Sequence, residues 1–275
     1  MNPLRCLAGF GPVNVTGDHG HTAKYRPEID GLRALAVLAV IVNHINARFL
    51  PGGYLGVDIF FVISGYVITG SLLSRSASNI SSFFLGFYAR RIRRILPALA
   101  VMVVIVSVIT VLFDPAPSNT LATAIASVFG GSNLVLYLAS TSYFSVSSQL
   151  NTFTHTWSLG VEEQFYLVFP LLLWLTGVAT SRRPKWTWLV GILLFGCSLS
   201  LLAFIVVSRT NQPFAYFSMP TRFWELGVGV LCFLLLRKDR FFSWTQRIPA
   251  SPLLVLLVAL LFTDSRIKKI GRAHV

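Results

Sequence analysis

Charged residues are scarce in this sequence: only 12% of its 275 residues are Asp, Glu, Lys or Arg. An average soluble domain is about one quarter charged, so a soluble protein with one ordinary core is not expected. Cysteine is also rare, and Cys6, Cys197 and Cys232 have neither metal-site spacing nor the pattern of a disulfide framework. The sequence contains no phosphate-binding glycine loop, no dinucleotide fingerprint and no His-Glu-x-x-His motif. We therefore expect no bound metal.

Apolar residues make up 54% of the chain, and the mean hydropathy is +0.69, which excludes a disordered protein. A helix needs about 20 apolar residues to cross the hydrocarbon core of a bilayer. Runs near this length predict an all-α, polytopic transmembrane bundle with about seven spans and one re-entrant or interfacial segment. The spans are expected near 31–50, 54–73, 95–113, 157–176, 188–207, 223–236 and 253–262, and the weaker segment near 121–139.

Basic residues outnumber acidic ones by 23 to 10, which gives a formal charge of +13. Lys and Arg collect in the cytoplasmic loops of membrane proteins, so this excess predicts topology and requires no nucleic acid partner. The rule places the N-terminus in the cytoplasm, together with Arg75, residues 90–94 and the basic loops near 182–185 and 237–240. This arrangement requires one run between residues 94 and 182 not to span. The run broken by Gly130-Gly131-Ser132-Asn133 is the expected one.

Seven ionisable groups fall within the apolar runs: Arg33, His44, Asp58, Glu162, Glu163, Arg222 and Glu225. Each costs roughly 2.5–3.5 kcal/mol to insert, so such groups are candidates for function. Arg33 and His44 are eleven residues apart. They therefore share one helix face, about 16 Å apart along the axis. The shared face predicts a polar path along this helix. The structural alternatives are a snorkelling Arg33 and a hydrogen-bonded core His44.

A second histidine, His155, lies seven residues before Glu162 and shares a helix face with it. In the predicted topology the outer half of the bundle collects His44, His155, Asp58 and Glu162. A carboxylate bonded to a histidine fixes its tautomer and raises its basicity, as a general base for hydroxyl attack requires. Alternatively, the carboxylates only neutralise the intramembrane arginines in structural ion pairs.

A basic cluster is expected at the cytoplasmic start of the third span, formed by Arg90, Arg91, Arg93 and Arg94. Arginines three residues apart share a face, and guanidinium groups suit phosphate oxygens. A helix N-terminus would add a favourable dipole for an anion. The cluster is thus expected to bind either lipid headgroups or the phosphates of a cofactor.

Several motifs occur in a fixed order along the chain: Tyr25–Ala34, Arg33 and His44 separated by ten residues, Gly56–Tyr66, Arg90 with Arg93 or Arg91 with Arg94, and His155–Tyr166. In these motifs the chain resembles the acyltransferase 3 family of integral-membrane O-acyltransferases. The resemblance extends from about residue 25 to residue 262.

The resemblance implies an enzyme of the bacterial plasma membrane that uses an acyl-CoA, usually acetyl-CoA, on the cytoplasmic side. The acceptor would be a hydroxyl of an extracytoplasmic glycan such as O-antigen, exopolysaccharide or peptidoglycan. The resemblance ties His44 to acyl transfer. We expect Arg33 and the arginines of residues 90–94 to hold CoA phosphates, and Asp58, His155 or Glu162 to assist. His44 would either carry the acyl group or activate the acceptor hydroxyl.

Members of this family carry more helices in the domain than we count here. We therefore expect an incomplete acyltransferase 3 membrane domain at residues 25–263, after a polar tail at 1–24 and before a foreign tail at 264–275. An inactive fragment is one alternative to an active enzyme. A transporter or exporter of a glycan precursor or an acyl group is another, although we find no internal repeat of the kind common in transporters.

Overall fold

The computed structural model describes residues 27–74, 79–141, 151–179, 185–236 and 250–262. All the regular secondary structure in these ranges is helical, which confirms the predicted all-α class. The helices are α1 (Pro27–Ile45), α2 (Leu55–Leu73), α3 (Ile80–Phe113), α4 (Ser118–Val128), α5 (Ser132–Thr141), α6 (Trp157–Leu175), α7 (Trp186–Thr210), α8 (Gln212–Phe217), α9 (Met219–Leu236) and α10 (Ala250–Phe262), with a 3₁₀ turn at Thr154–Thr156. The expected tails at 1–24 and 264–275 lie outside the described residues.

Four helical segments of the described chain are long and apolar enough to cross a membrane: Leu55–Leu73, Ile80–Phe113, Trp186–Thr210 and Gln212–Leu236. The last segment joins α8 to α9. Of the remaining predicted spans, α1 and α6 are each 19 residues long and carry three and two charged side chains, respectively. The count of about seven spans therefore stays a prediction.

The third span differs from its prediction because it is continuous with the basic and aromatic stretch before it. Both form α3, a single helix of 34 residues that begins at a capping box. There the Asn79 side chain accepts from the backbone N–H of Ser82. The helix is about 51 Å long. Arg90 is therefore the eleventh residue of the helix and does not lie at its start.

The weak run near 121–139 forms two short helices, α4 with 11 residues and α5 with 10. Each is about 15–17 Å long, roughly half the hydrocarbon thickness. They are separated at Gly130, whose φ of 70° is a left-handed conformation that favours glycine. A Cβ at this glycine would also lie only 2.9 Å from the Cβ of Glu163 on α6. The turn thus depends on glycine for both its conformation and its packing.

Helices α2 and α9 form the centre of the bundle and run parallel to each other. Asp58 contacts Arg222 at one end of the pair, and Gly70 faces Phe233 at the other. Between these ends a Cβ added at Gly65 would overlap the backbone carbonyl oxygen of Leu226. Glycines of this kind let two helix backbones touch, which is a common way to pack helices in a membrane.

The other helices pack around this pair and bury a core that is rich in aromatic and branched residues, including Phe61, Phe165, Phe169, Leu193, Leu226 and Val230. Helix α1 packs against α2 through Gly56, where a Cβ would overlap the carbonyl oxygen of Ala36. Helices α2, α6 and α9 begin at the same end of the bundle. There Trp157, the first residue of α6, lies near Phe61 of α2 and Arg222 of α9. We call this the N-terminal end of the three helices.

Candidate functional site

His44 lies in the last turn of α1 and is exposed. Its Nδ1 is 2.8 Å from the carbonyl oxygen of Val40. A carbonyl oxygen can only accept a hydrogen bond, so Nδ1 must carry the proton and donate it. In the neutral imidazole this leaves a lone pair on Nε2. The local helix thus presents His44 with a basic nitrogen that is free to receive a proton.

Neither predicted carboxylate pairs with His44 in the described part of the chain. Asp58 bonds to Arg222 on α9, and Glu162 pairs with Arg91 on α3. The backbone carbonyl of Val40 fixes the His44 tautomer, which is the role expected of a carboxylate. The Asp58–Arg222 pair matches the alternative in which carboxylates neutralise intramembrane arginines, whereas Glu162 pairs with Arg91 of the basic cluster rather than with Arg33.

His155 lies in the 3₁₀ turn immediately before α6 and is exposed. The pKa of His155 is lowered from its usual value near 6.5, mainly because the protein removes water from one side of its ring. A hydrogen bond to the backbone of Thr152 acts in the opposite direction, and the charge of His44 lowers the pKa further. The two histidines therefore lie close enough to interact, as the predicted grouping in the outer half requires.

A buried ion cluster joins α2 to α9 through Arg222. Its Nη1 is 3.0 Å from Oδ1 of Asp58 and 2.6 Å from Oε1 of Glu225. Glu225 is 0% exposed, and its Oε2 has no hydrogen-bond partner within the described ranges. By contrast, the Asp58 side chain is 31% exposed. One arginine thus faces two carboxylates, only one of which reaches the surface.

Aromatic rings surround the guanidinium of Arg222. Its carbon lies 5.0 Å from the ring centre of Phe204, 5.2 Å from that of Tyr216 and 5.8 Å from that of Trp157. A cation over a ring face is attracted by the ring quadrupole. The Arg222 Nε also lies 3.4 Å from the Tyr216 carbonyl oxygen. These contacts hold the arginine in place in an apolar region.

A second ion cluster joins α3 to α6 through Arg91. Its Nε donates to Glu163 at 2.9 Å, and its Nη2 lies 3.6 Å from Glu162. The guanidinium carbon stacks 3.4 Å from the ring centre of Tyr166. Arg91 is therefore already occupied by two carboxylates and one aromatic ring.

Arg33 is half-buried on α1, with its guanidinium carbon 5.3 Å from the ring centre of Phe60. Its charge acts on Glu162 across the bundle. Two buried oxygens of this region, Oγ of Ser64 and Oε1 of Glu162, make no well-formed hydrogen bond among the described residues, although the Ser64 hydroxyl lies close enough to the Glu162 carboxyl to interact with it. Buried polar groups are normally satisfied, so this region has hydrogen-bonding capacity for a bound group.

The predicted phosphate cluster is thus divided. Arg91 is engaged with α6, Arg90 is half-buried, and Arg93 and Arg94 are exposed. The cluster also begins at the eleventh residue of α3, whereas a helix dipole acts only within the first turn. The expected contribution of a helix N-terminus is therefore wrong for this cluster.

Sequence reasoning missed an amide network that attaches the α4–α5 pair to α6. The Nδ2 of Asn133 donates to the carbonyl of Phe217 at 2.9 Å, and the Nε2 of Gln164 donates to Oδ1 of Asn133 at 2.8 Å. Gly160 allows this contact, since a Cβ there would lie 2.6 Å from Oδ1 of Asn133. The available signals were the uncharged polar residues Asn133 and Gln164 within apolar runs.

A family model described as an acyltransferase domain matches residues 26–269. The chain belongs to the acyltransferase 3 family. It is accordingly a multi-pass membrane protein of an integral-membrane enzyme family. No solved structure matches the chain.

Similar curated proteins are named as O-acetyltransferases. The chain is 41% identical over 210 residues to the peptidoglycan O-acetyltransferase OatA of Listeria monocytogenes, covering 76% of this chain and 34% of that protein. It is 36% identical over 228 residues to a putative peptidoglycan O-acetyltransferase, YrhL, of Bacillus subtilis, covering 82% and 36%. A putative O-acetyltransferase of Staphylococcus aureus is 37% identical over 214 residues, covering 76% and 34%. The chain spans about one third of the length of these relatives.

A metal centre is not evident in the part of the chain that the structure describes. There, no three His, Cys, Asp or Glu side chains lie close enough to hold a metal ion.

Proposed function

We propose that this chain transfers an acyl group, normally acetyl, from cytoplasmic acyl-CoA to a hydroxyl of an extracytoplasmic glycan. Peptidoglycan is the acceptor we favour, because relatives that match three quarters or more of the chain carry that name. The observation that carries the proposal is the arrangement on α1. A half-buried Arg33 and an exposed His44 with a free Nε2 lie on one helix of a member of this family.

His44 is the group we assign to the transfer step. In one route its Nε2 takes the proton of the acceptor hydroxyl as the hydroxyl oxygen attacks the thioester carbonyl carbon. The new C–O bond forms, the C–S bond breaks, and the CoA thiolate leaves and is reprotonated. In the other route Nε2 attacks the thioester carbonyl carbon, so that a C–N bond forms, the C–S bond breaks and the CoA thiolate leaves. The acceptor hydroxyl oxygen then attacks the acyl-imidazole, the C–O bond forms, the C–N bond breaks, and the hydroxyl proton passes to the thiolate or to water. Both routes require the lone pair on Nε2 that the bond from Nδ1 to Val40 leaves free.

The donor would enter from the cytoplasmic side. Arg33, Arg93 and Arg94 are the arginines we assign to CoA phosphates, with Arg90 as a further candidate from the same cluster. Arg91 would instead keep α3 fixed to α6. The buried oxygens of Ser64 and Glu162 suit the amide groups of the pantetheine arm. His155 would assist on the acceptor side.

The topology we propose has a cytoplasmic N-terminus in a bacterial plasma membrane, about seven spans, and α4–α5 as the re-entrant or interfacial segment. Two features support this role for α4–α5. Each helix is about half as long as the hydrocarbon core is thick, and an amide network holds the pair against α6. Protein contacts of this kind are what a non-spanning backbone requires at membrane depth.

Transfer of radiolabel from acetyl-CoA to peptidoglycan in membranes that contain the chain tests the proposal. We expect labelling that His44→Ala abolishes and His155→Gln only lowers, with both variants present at the wild-type level. Rapid denaturation near neutral pH followed by separation of labelled protein distinguishes an acyl-imidazole, which acid would hydrolyse, from direct transfer. A folded wild-type chain that transfers no label, or a His44→Ala variant that retains transfer, would contradict the proposed function.

A further inference from the structure

Asp58 has a feature that its ion pair with Arg222 does not explain. Its Oδ1 accepts from Arg222 at 3.0 Å, while Oδ2 has no hydrogen-bond partner within the described residues. The side chain is 31% exposed, so the second oxygen can be reached from outside the bundle. A carboxylate oxygen accepts hydrogen bonds from hydroxyl or amide groups. Arg222 fixes the orientation of the carboxylate through Oδ1, and Oδ2 is therefore available to accept a hydrogen bond from a ligand.

Two aromatic rings in contact, tilted by 40° to each other, lie next to this carboxylate. The rings of Tyr216 and Trp157 have centroids 4.4 Å apart, and both lie within 6 Å of the Arg222 guanidinium carbon. Trp157 is buried, whereas Tyr216 is 40% exposed. A pyranose ring has one face of C–H groups and a rim of hydroxyls. An exposed aromatic ring beside an anchored carboxylate fits the face and the rim together.

The charge of this cluster limits the kind of ligand. Arg222 contributes one positive charge, and with at least one of its two carboxylate partners, Asp58 and Glu225, ionised the cluster has no net positive charge. An anionic group such as a CoA phosphate would be repelled or, at best, not attracted. An uncharged sugar carries no such penalty, and its hydroxyls can donate to Oδ2 of Asp58.

The position also suits an acceptor. Asp58, Trp157 and Arg222 all lie at the N-terminal end of α2, α6 and α9. His155 precedes Trp157 by two residues and interacts with His44. The exposed histidine that we assign to transfer therefore lies near this end of the bundle.

We propose that Asp58 and Tyr216 form the acceptor subsite, which binds an uncharged, hydroxyl-bearing sugar ring, and that Arg222 and Glu225 position Asp58 for this contact. The inference rests on the proposed function for its place in the reaction. Tyr216 supplies the stacking surface, Trp157 packs against the Tyr216 ring, and Oδ2 of Asp58 accepts a hydrogen bond from a hydroxyl of the sugar ring.

Isothermal titration of the purified full chain with chitotriose, an uncharged trisaccharide, tests this subsite without requiring catalysis. We expect binding that Tyr216→Ala weakens about tenfold and Tyr216→Phe changes by less than about twofold, because phenylalanine keeps the ring. Asp58→Asn should weaken binding by about tenfold. Sialyllactose, an anionic trisaccharide, should bind at least about tenfold more weakly than chitotriose.

Phe195→Ala is the matched control, since Phe195 is another exposed aromatic residue, on α7. It should bind chitotriose as the wild type does. No binding of chitotriose, or a Tyr216→Ala variant that binds like Phe195→Ala, would overturn the inference. The Tyr216 pair keeps the test decisive even if Asp58→Asn does not fold. Acetyl transfer is measured on the same samples: binding that depends on Tyr216 without any transfer would refute the proposed function and leave the subsite supported.

Discussion

Replacing Arg222 by methionine gives the most direct test of the ion cluster between α2 and α9. The substitution keeps the length and apolar stem of the side chain but removes the cation that faces Asp58 and Glu225. Removing one partner of a buried ion pair costs roughly 3–5 kcal/mol, because the remaining charge is left without compensation. At about 2–4 °C for each kcal/mol, the melting temperature should fall by roughly 6–20 °C.

The difference in burial between Asp58 and Glu225 predicts which carboxylate causes most of the stability loss in Arg222→Met. Glu225 is 0% exposed, whereas the Asp58 side chain is 31% exposed and can be hydrated. Most of the cost of Arg222→Met should therefore come from Glu225. Adding Glu225→Gln to Arg222→Met should recover at least half of the lost free energy of unfolding. Adding Asp58→Asn should recover much less.

Thermal unfolding of the detergent-solubilised chain, followed by tryptophan fluorescence, measures each variant and closes the double-mutant cycles. Arg93→Met is the control, because Arg93 is an exposed arginine of α3. It should melt as the wild type does. The reasoning fails if Arg222→Met costs less than about 1 kcal/mol, or if Asp58→Asn rescues it better than Glu225→Gln.

Three further predictions concern packing, polar contacts and pH. Gly65→Ala should destabilise the chain by about 2 kcal/mol or more, because the new methyl overlaps the Leu226 carbonyl. The control is Gly191→Ala, which has open space around it and should melt at or slightly above the wild-type temperature. Asn133→Leu should cost about 1–3 kcal/mol in the same assay, since its buried amide partners lose their hydrogen bonds, and an unchanged melting temperature would contradict the network. The lowered pKa of His155 means that the unfolded chain binds a proton more readily than the folded chain, so stability should fall as pH drops below about 6.5. Between pH 7.5 and pH 5.5, the melting temperature of His155→Gln should therefore fall less than that of the wild type. An equal or larger fall for His155→Gln would exclude His155 as the origin of the pH dependence.

Elements with a continuous local signal could be predicted from the sequence. The span expected at 54–73 forms α2 at Leu55–Leu73, because an unbroken apolar run follows the turn at Pro51-Gly52-Gly53. The break near Gly130 was likewise predicted, since a glycine pair interrupts an apolar run there. By contrast, nothing local separated the basic stretch of residues 90–94 from the apolar run after it, and the two formed one helix.

The partners of the candidate site residues could not be predicted, because they are set by packing between distant helices. The sequence placed Asp58 and Glu162 within apolar runs and left their partner open between a histidine and an intramembrane arginine. Their observed partners, Arg222 and Arg91, lie 164 and about 70 residues away. The partner of His44, by contrast, is local. It is the backbone carbonyl four residues earlier, which every helix supplies. The role of Tyr216 gave no sequence signal, since its position beside Asp58 depends on the turn between α8 and α9.

The contact between Asp58 and Arg222 also constrains how the protein is made. Asp58 is synthesised 164 residues before Arg222, which corresponds to roughly 10–30 s at about 5–20 residues per second. During that interval α2 carries a carboxylate with no arginine to neutralise it, and we expect its first turn to stay at the membrane surface in contact with water. With Cys6, Cys197 and Cys232 replaced by serine, a Leu55→Cys variant in a ribosome-stalled chain that ends before α9 should therefore react with a water-soluble maleimide faster than in a chain that includes α9. Equal rates would mean that α2 reaches its final depth alone. A faster reaction in the shorter chain would mean that α2 reaches its final depth in the membrane only after α9 has been synthesised.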